Sequence, residues 1–98
     1  MRVGLWERTS GNGNVYLGGA DKENNIRYML FKDDKAEGVR KLVSKPLDNS
    51  EAKLQTIATL IKHEKDDTVY FKGDGYAVFV NTFKTEDNQP GYNLIIGE

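Results

Sequence analysis

The apolar residues of the chain fall into short runs that are separated by glycine, asparagine and aspartate. Branched and aromatic residues dominate the runs, which is typical of β-strands, and the intervals between them are typical of turns. The pattern predicts strands over residues 3–8, 14–18, 26–32 and 39–44, a hairpin over residues 68–83 and a last strand over residues 92–96.

The first hairpin is predicted to turn at Asn12-Gly13, a dipeptide that strongly favours hairpins. A loop of two or four residues places Trp6, Val15 and Leu17 on one face, whereas a loop of three residues changes the pairing. The glycines around this turn also resemble a nucleotide-binding loop. However, a predicted strand follows them instead of a helix, and the chain has no Gly-Lys-Ser/Thr sequence. We therefore interpret them as hairpin glycines.

The second hairpin is predicted to turn within residues 73–75. Its two candidate loops, 73–74 and 74–75, give the same distribution of side chains between the faces. One face holds Val69, Phe71, Val78 and Val80, and the other holds Tyr70, Lys72, Ala77 and Phe79.

The segment that starts at Asp48 changes period. Its apolar residues recur at helical spacing, and Asn49 or Ser50 supplies an N-cap. The spacing predicts one α-helix over residues 49–64, with its apolar face formed by Leu54, Ile57, Ala58 and Ile61.

One helix among short antiparallel strands places the chain in the α+β class. We expect a single domain over residues 1–98, with a strongly curved antiparallel sheet or small β-barrel and this one helix. No internal repeat of 20 residues or more is evident in the sequence.

The chain has no cysteine, which excludes disulfides, zinc fingers and iron–sulfur clusters. Fourteen basic and 15 acidic side chains give a net charge of −1, so a nucleic acid would need a local basic patch. No apolar run is long enough to cross a bilayer, and the N-terminus lacks the apolar stretch of a signal peptide. We therefore expect a cytoplasmic protein without a membrane partner.

No group of residues has the pattern of a catalytic or metal site. His63 is the single histidine. Residues 33–38 resemble the first half of a calcium-binding loop, but Lys35 occupies a position where such a loop has a ligand. The acidic pairs at 66–67 and 86–87 lie in predicted loops beside lysine. We predict a protein that is not an enzyme and that has no cofactor and no metal site.

Aromatic and basic residues form the one pattern that indicates a binding surface. Aromatic rings on a sheet with cations around them are typical of surfaces that hold a single-stranded nucleic acid or a peptide. A buried core is the alternative interpretation of the rings. Trp6, Tyr16 and Tyr28 add rings on the early strands. The candidate binding residues are Tyr70, Lys72, Phe79, Phe83, Arg40, Lys41 and Lys45.

Two stretches, LWERTSGNGNVYLGG and YAVFVNTFKTEDNQPGYNLII, resemble the two ends of a family of small uncharacterised bacterial and phage proteins. The resemblance implies a compact β-rich module that is often carried on mobile elements and has no agreed activity. The matching positions are Trp6, Thr9, Ser10, Gly13, Tyr16 and Gly19 near the start and Phe79, Asn81, Lys84, Pro90 and Tyr92 near the end.

Two functional hypotheses follow. The first is a non-enzymatic binding protein of phage or mobile-element origin, an inhibitor that occupies the surface of a host or defence protein in the host cytoplasm. The alternative is a small-barrel protein that binds single-stranded nucleic acid. A homodimer that pairs through residues 92–96 as an edge strand is also left open.

Overall fold

The residues that the structure describes form eight antiparallel β-strands that close into a barrel. The computed structural model describes residues 2–33, 35–49, 51–82, 85–86 and 88–97. The strands are β1 (Arg2–Thr9), β2 (Val15–Asp21), β3 (Ile26–Lys32), β4 (Val39–Pro46), β5 (Gln55–Lys65), β6 (Thr68–Gly73), β7 (Tyr76–Val80) and β8 (Tyr92–Ile96).

Each strand pairs with its neighbours along the chain, and β8 returns to pair with β1. The last strand is therefore hydrogen-bonded on both sides, to β7 and to β1. Barrel closure removes the open edge that we expected at residues 92–96. A homodimer stays a prediction, but it cannot pair through β8, because both edges of β8 are already hydrogen-bonded.

The prediction of an α+β fold with a helix over residues 49–64 is wrong. The described residues contain no helix, and β5 occupies most of that segment. Leu42 and Val43 are adjacent on β4, whereas their partners Ala58 and Thr56 on β5 are separated by the bulged residue Ile57. The bulge lets Ile57 and Ala58 both pack against the core, which breaks the alternation of a strand. Consecutive core residues imitate the apolar face of a helix, and this produced the error.

The first hairpin has a different register from the predicted one. Thr9 pairs with Val15 and Trp6 pairs with Gly18, so the loop covers residues 10–14. Because strand side chains alternate, this shift of one residue separates Trp6 from Leu17. Leu17 packs against the core, whereas Trp6 lies on the exterior of the barrel.

The second hairpin turns at 74–75, one of the two predicted loops, and its side chains have the predicted distribution between the faces. Phe71 pairs with Val78. The turn residues Asp74 and Gly75 have φ angles of 52° and 85°, which is the geometry of the tight turns that suit the twist of a hairpin. The β-rich character of the chain is also confirmed.

Apolar side chains fill the interior of the barrel. The buried cluster consists of Val3, Leu5, Tyr28, Leu30, Leu42, Ala58, Leu60, Val78 and Leu94. Gly19 and Gly73 allow two neighbouring strands to approach, because a Cβ atom at either position would overlap a backbone carbonyl oxygen, that of Gly4 or of Thr59.

The second four strands repeat the cross-strand register of the first four. Cross-strand pairs of the first half have equivalent pairs in the second half. Arg8–Tyr16 corresponds to His63–Tyr70; Leu17–Leu30 to Phe71–Val78; Phe31–Lys41 to Phe79–Asn93; and Leu42–Ala58 to Leu94–Val3. The sequence carries the repeat as Val-Tyr-x-x-Gly at 15–19 and 69–73 and as Tyr-x-x-Phe at 28–31 and 76–79. No internal repeat of 20 residues or more was found in the sequence, but the two halves of the structure repeat one pattern of strand pairing. Loops of unequal length hide this repeat in the sequence.

Candidate functional site

One row of side chains crosses the exterior of the first half, β1–β4. It consists of Arg8, Tyr16, Phe31 and Lys41, one residue from each strand. The rings of Tyr16 and Phe31 stack, with centroids 5.0 Å apart and planes inclined by 27°. The Nζ of Lys41 donates a hydrogen bond to Oγ1 of Thr59 at 3.0 Å, which fixes its ammonium group on the surface. A stacked aromatic pair therefore lies between two cations.

A groove of about 320 Å³ lies beside this row. Gly18 keeps it open, because a Cβ atom there would lie 3.1 Å from Cδ of Arg8 and 3.4 Å from Cε2 of Tyr16. The groove is lined by residues that include Arg8, Tyr16, Gly18, Arg27, Met29 and Lys45. It therefore combines three cations with an aromatic ring and a methionine side chain.

Arg27 and Lys45 face each other directly across β3 and β4. Both are half-buried, and neither forms an ion pair with another described residue. Like charges in this position repel each other, so an anion bound between them relieves the repulsion. Lys45 also borders a second depression of about 560 Å³, which is lined in part by residues of the loops before β3 and β5, such as Asn25 and Ala52.

The strands of the first half carry their charges on separate faces. Their two acids, Glu7 and Asp21, alternate onto the interior side, where Asp21 is buried and accepts a hydrogen bond from Asn24. The other described acids of this half lie in loops. We call the exterior of β1–β4 the basic face; its cations are Arg2, Arg8, Arg27, Lys41 and Lys45. This separation explains how a chain with a net charge of −1 presents a basic surface.

The exterior of the second half, β5–β8, carries the equivalent row with different chemistry. His63, Tyr70 and Phe79 stack in sequence across three strands, with ring centroids 5.3 and 5.1 Å apart. Asn93 completes this row, where Lys41 completes the first. The rings are therefore retained, and the flanking cations are replaced by an imidazole and an amide.

The predicted binding residues fall in separate places and do not form one site. We call the end of the barrel beside the β1–β2 and β3–β4 loops the mouth. Arg40 faces inward at this end, and its guanidinium lies 4.6 Å from the ring centroid of Phe71. Phe83 lies outside the described residues. Lys41 and Lys45 belong to the basic face, whereas Tyr70, Lys72 and Phe79 lie together on the exterior of the second half.

The binding residues predicted from the sequence did not include Arg8, Arg27 or Phe31. Tyr16 was noted as an aromatic residue but was not predicted to bind. The register error in the first hairpin explains part of this. A two-residue loop at Asn12-Gly13 pairs Arg8 with Leu17, whereas in the structure Arg8 lies opposite Tyr16. Alternation along β3 is the signal that could have identified Arg27 and Phe31, because both lie on the face opposite Tyr28 and Leu30.

The loop after β7 folds back onto the exterior of β1. The Nε1 of Trp6 donates a hydrogen bond to the carbonyl oxygen of Asn88 at 3.0 Å, and Nδ2 of Asn81 donates to the carbonyl oxygen of Pro90 at 2.9 Å. Pro90 covers Gly4, where an added Cβ atom would lie 2.7 Å from its Cγ. Trp6, Asn81 and Pro90 therefore have structural roles in holding this loop.

Burial raises the pKa of Tyr28 above its ordinary value, with smaller contributions in the same direction from Tyr76 and Asp21.

Within the ranges that the structure describes, no three acidic or histidine side chains are grouped in a way that could hold a metal ion. The same residues contain no helix long and apolar enough to span a membrane. No protein-family model matches the chain, and comparisons with curated proteins and with solved structures find no match.

Proposed function

We propose that the protein is a non-enzymatic binding protein whose basic face holds a single-stranded nucleic acid. The observation that carries this proposal is the combination of a stacked aromatic pair, a groove with three cations and the absence of carboxylates from the strand exteriors of the first half. Surfaces that hold single strands combine a positively charged path for the backbone with rings for the bases. The basic face supplies both features within four strands.

In this proposal, the residues of the groove have separate roles. Arg8, Arg27 and Lys45 face phosphates, since charge-assisted hydrogen bonds to phosphate are the strongest contacts these side chains make. Tyr16 and Met29 offer apolar contact to a base that enters the groove. Each base has an aromatic face, so this mode of binding tolerates different sequences.

The test is a fluorescence anisotropy titration of labelled oligothymidylate and oligouridylate over a range of salt concentrations. The informative variant replaces Arg8, Arg27 and Lys45 with serine. Because each phosphate contact on a single strand contributes about 0.7 to the slope of log affinity against log salt, this variant should lower the magnitude of the slope by about 2. The control replaces His63, Lys65 and Lys72, which lie on the exterior of the second half and include two cations, with serine and should keep the slope of the wild type.

Three results would contradict the proposal: no binding at low salt, binding that does not depend on salt, or equal losses in the two triple variants. Circular dichroism of both variants checks that the barrel still forms. Competition with duplex DNA of the same length separates a single-strand preference from general attraction to phosphate.

A second candidate function, occupation of a host or defence protein's surface, is favoured by apolar side chains at the mouth end. Val15, Val69 and Val80 are all exposed there. Exposed apolar side chains around one end of a molecule are typical of surfaces that another protein covers. The test compares nuclease-treated host lysate captured on the wild type and on a Val69→Ser, Val80→Ser variant. A stoichiometric partner retained by the wild type alone supports this function, and its absence argues against it.

A further inference from the structure

The interior of the barrel ends in a small cavity at the mouth. Its volume is about 200 Å³, which is below the usual range for drug-sized ligands of about 300–1,000 Å³. Leu30, which is 3% exposed, and the half-buried Leu17 form its apolar floor. Phe71 and Tyr92 line its walls. The cavity therefore suits a small molecule with an apolar or aromatic body.

Two cations lie at the rim of this cavity on neighbouring strands. Lys32 and Arg40 face each other directly across β3 and β4, and neither forms an ion pair with another described residue. The guanidinium of Arg40 lies over Phe71, and its Nη1 donates to the carbonyl oxygen of Val39 at 3.2 Å. The ring holds the guanidinium plane in place, which leaves its other donors for an anion.

We propose that the mouth binds a small monoanionic carboxylate with an aromatic or short apolar body. The carboxylate lies between Lys32 and Arg40, where it relieves the repulsion of two like charges, and the apolar body rests on Leu17 and Leu30. Glu7 borders the same cavity from β1 and disfavours a second negative group on the ligand. This site opens at the mouth, shares Tyr16 with the groove of the basic face but none of the groove's three cations, and does not depend on the proposed nucleic-acid function.

The test titrates the ¹⁵N-labelled full chain with benzoate, with its neutral analogue benzyl alcohol and with the dianion terephthalate. Benzoate should shift the amide resonances of Leu17, Leu30 and Lys32 in a saturable way. Benzyl alcohol should bind at least about tenfold more weakly, because it lacks the charge-assisted hydrogen bonds. Terephthalate should also bind more weakly than benzoate, because of Glu7.

The variant Lys32→Met should weaken benzoate binding by about tenfold, since it removes one of two cations and keeps an exposed side chain of similar length. The matched control is Lys72→Met, on the exterior of the second half. The variant with serine at Arg8, Arg27 and Lys45 should retain benzoate binding, which separates this site from the groove. The proposal is overturned if benzoate produces no saturable shifts, if benzyl alcohol binds equally well, or if Lys32→Met and Lys72→Met behave alike.

Discussion

The two halves of the barrel share their buried core and the stacked rings on their exteriors, and they differ in the charges around the groove. The residues that correspond inside are chemically alike: Leu5 and Leu60, Gly19 and Gly73, Tyr28 and Tyr76, Leu42 and Leu94. Around the groove, Tyr16 and Tyr70 also correspond, but the other residues there have counterparts of different chemistry: Arg8 and His63, Gly18 and Lys72, Arg27 and Gly75, Lys41 and Asn93, Lys45 and Gly97.

This difference separates what the fold requires from what it permits. The strands of the second half end one residue before the positions of Arg27 and Lys45, where Gly75 and Gly97 lie just outside β7 and β8 with φ angles of 85° and 90°. The second half closes the barrel without cations at these positions. Opposed like charges also reduce stability. Their presence in one half alone therefore needs an explanation outside folding, and binding of an anionic ligand provides one. The residues of the buried core, in contrast, are determined by close packing, and both halves have the same packing requirement.

The largest expected effect tests the equivalence of the two interiors. Gly19→Ala and Gly73→Ala should each lower the free energy of unfolding by about 3 kcal/mol or more, because the added Cβ atom overlaps a backbone oxygen that cannot move without breaking the sheet. Urea denaturation measures the change. Gly91→Ala is the control, since it has open space around it and should stay within about 0.5 kcal/mol of the wild type. A large loss at only one of the two positions would show that the halves are not equivalent.

The next effect tests whether the groove of the first half is the functional difference. Gly18→Gln fills the groove without changing its charge and should weaken binding of oligothymidylate by at least about tenfold, because it prevents a base from entering. Lys72→Gln, at the equivalent position of the second half, should change the affinity by less than about twofold. Anisotropy titrations measure both affinities. Equal affinities for the two variants would remove the groove from the proposed site.

A smaller effect distinguishes the two aromatic rows. Tyr16→Ala should weaken binding of the same oligonucleotide by about fivefold, the lower end of what one stacking contact contributes, because Phe31 already covers part of the ring. Tyr70→Ala, its counterpart, should leave the affinity unchanged. If Tyr70→Ala has the larger effect, the binding surface lies on the second half, where the sequence placed Tyr70, Lys72 and Phe79.

The sequence predicted those parts of the fold that local patterns determine. The faces of the second hairpin follow from two alternating strands around residues 73–75, and their prediction was correct, although the loop was left as 73–74 or 74–75. The first hairpin failed because its loop is long enough to allow several registers, and a shift of one residue exchanges the faces. The helix failed because the bulge at Ile57 interrupts the alternation in β5.

The candidate site was harder to predict because it joins residues from four strands. Lys41 and Lys45 were identified from the basic stretch that contains them, but Arg8 and Arg27 join them only when the sheet aligns their strands. Arg40 lies in the same stretch and faces the other way, because neighbouring residues in a strand alternate. Total charge was also uninformative, since the described acids are located mostly in turns and at the mouth.

The smallest effect concerns the shared interior and its response to pH. Burial raises the pKa of Tyr28 above about 10, so the folded protein holds the phenol proton more tightly than the unfolded chain does. The resulting stabilisation is complete below the unfolded pKa and is lost as the pH rises through the folded pKa. The free energy of unfolding should therefore fall above about pH 10 more steeply in the wild type than in Tyr28→Phe, which keeps the ring and cannot ionise. Urea denaturation of both proteins across this range measures the difference. Parallel curves would show that the hydroxyl of Tyr28 is solvated in the folded barrel, and that the interior is more open beside this tyrosine than its burial indicates.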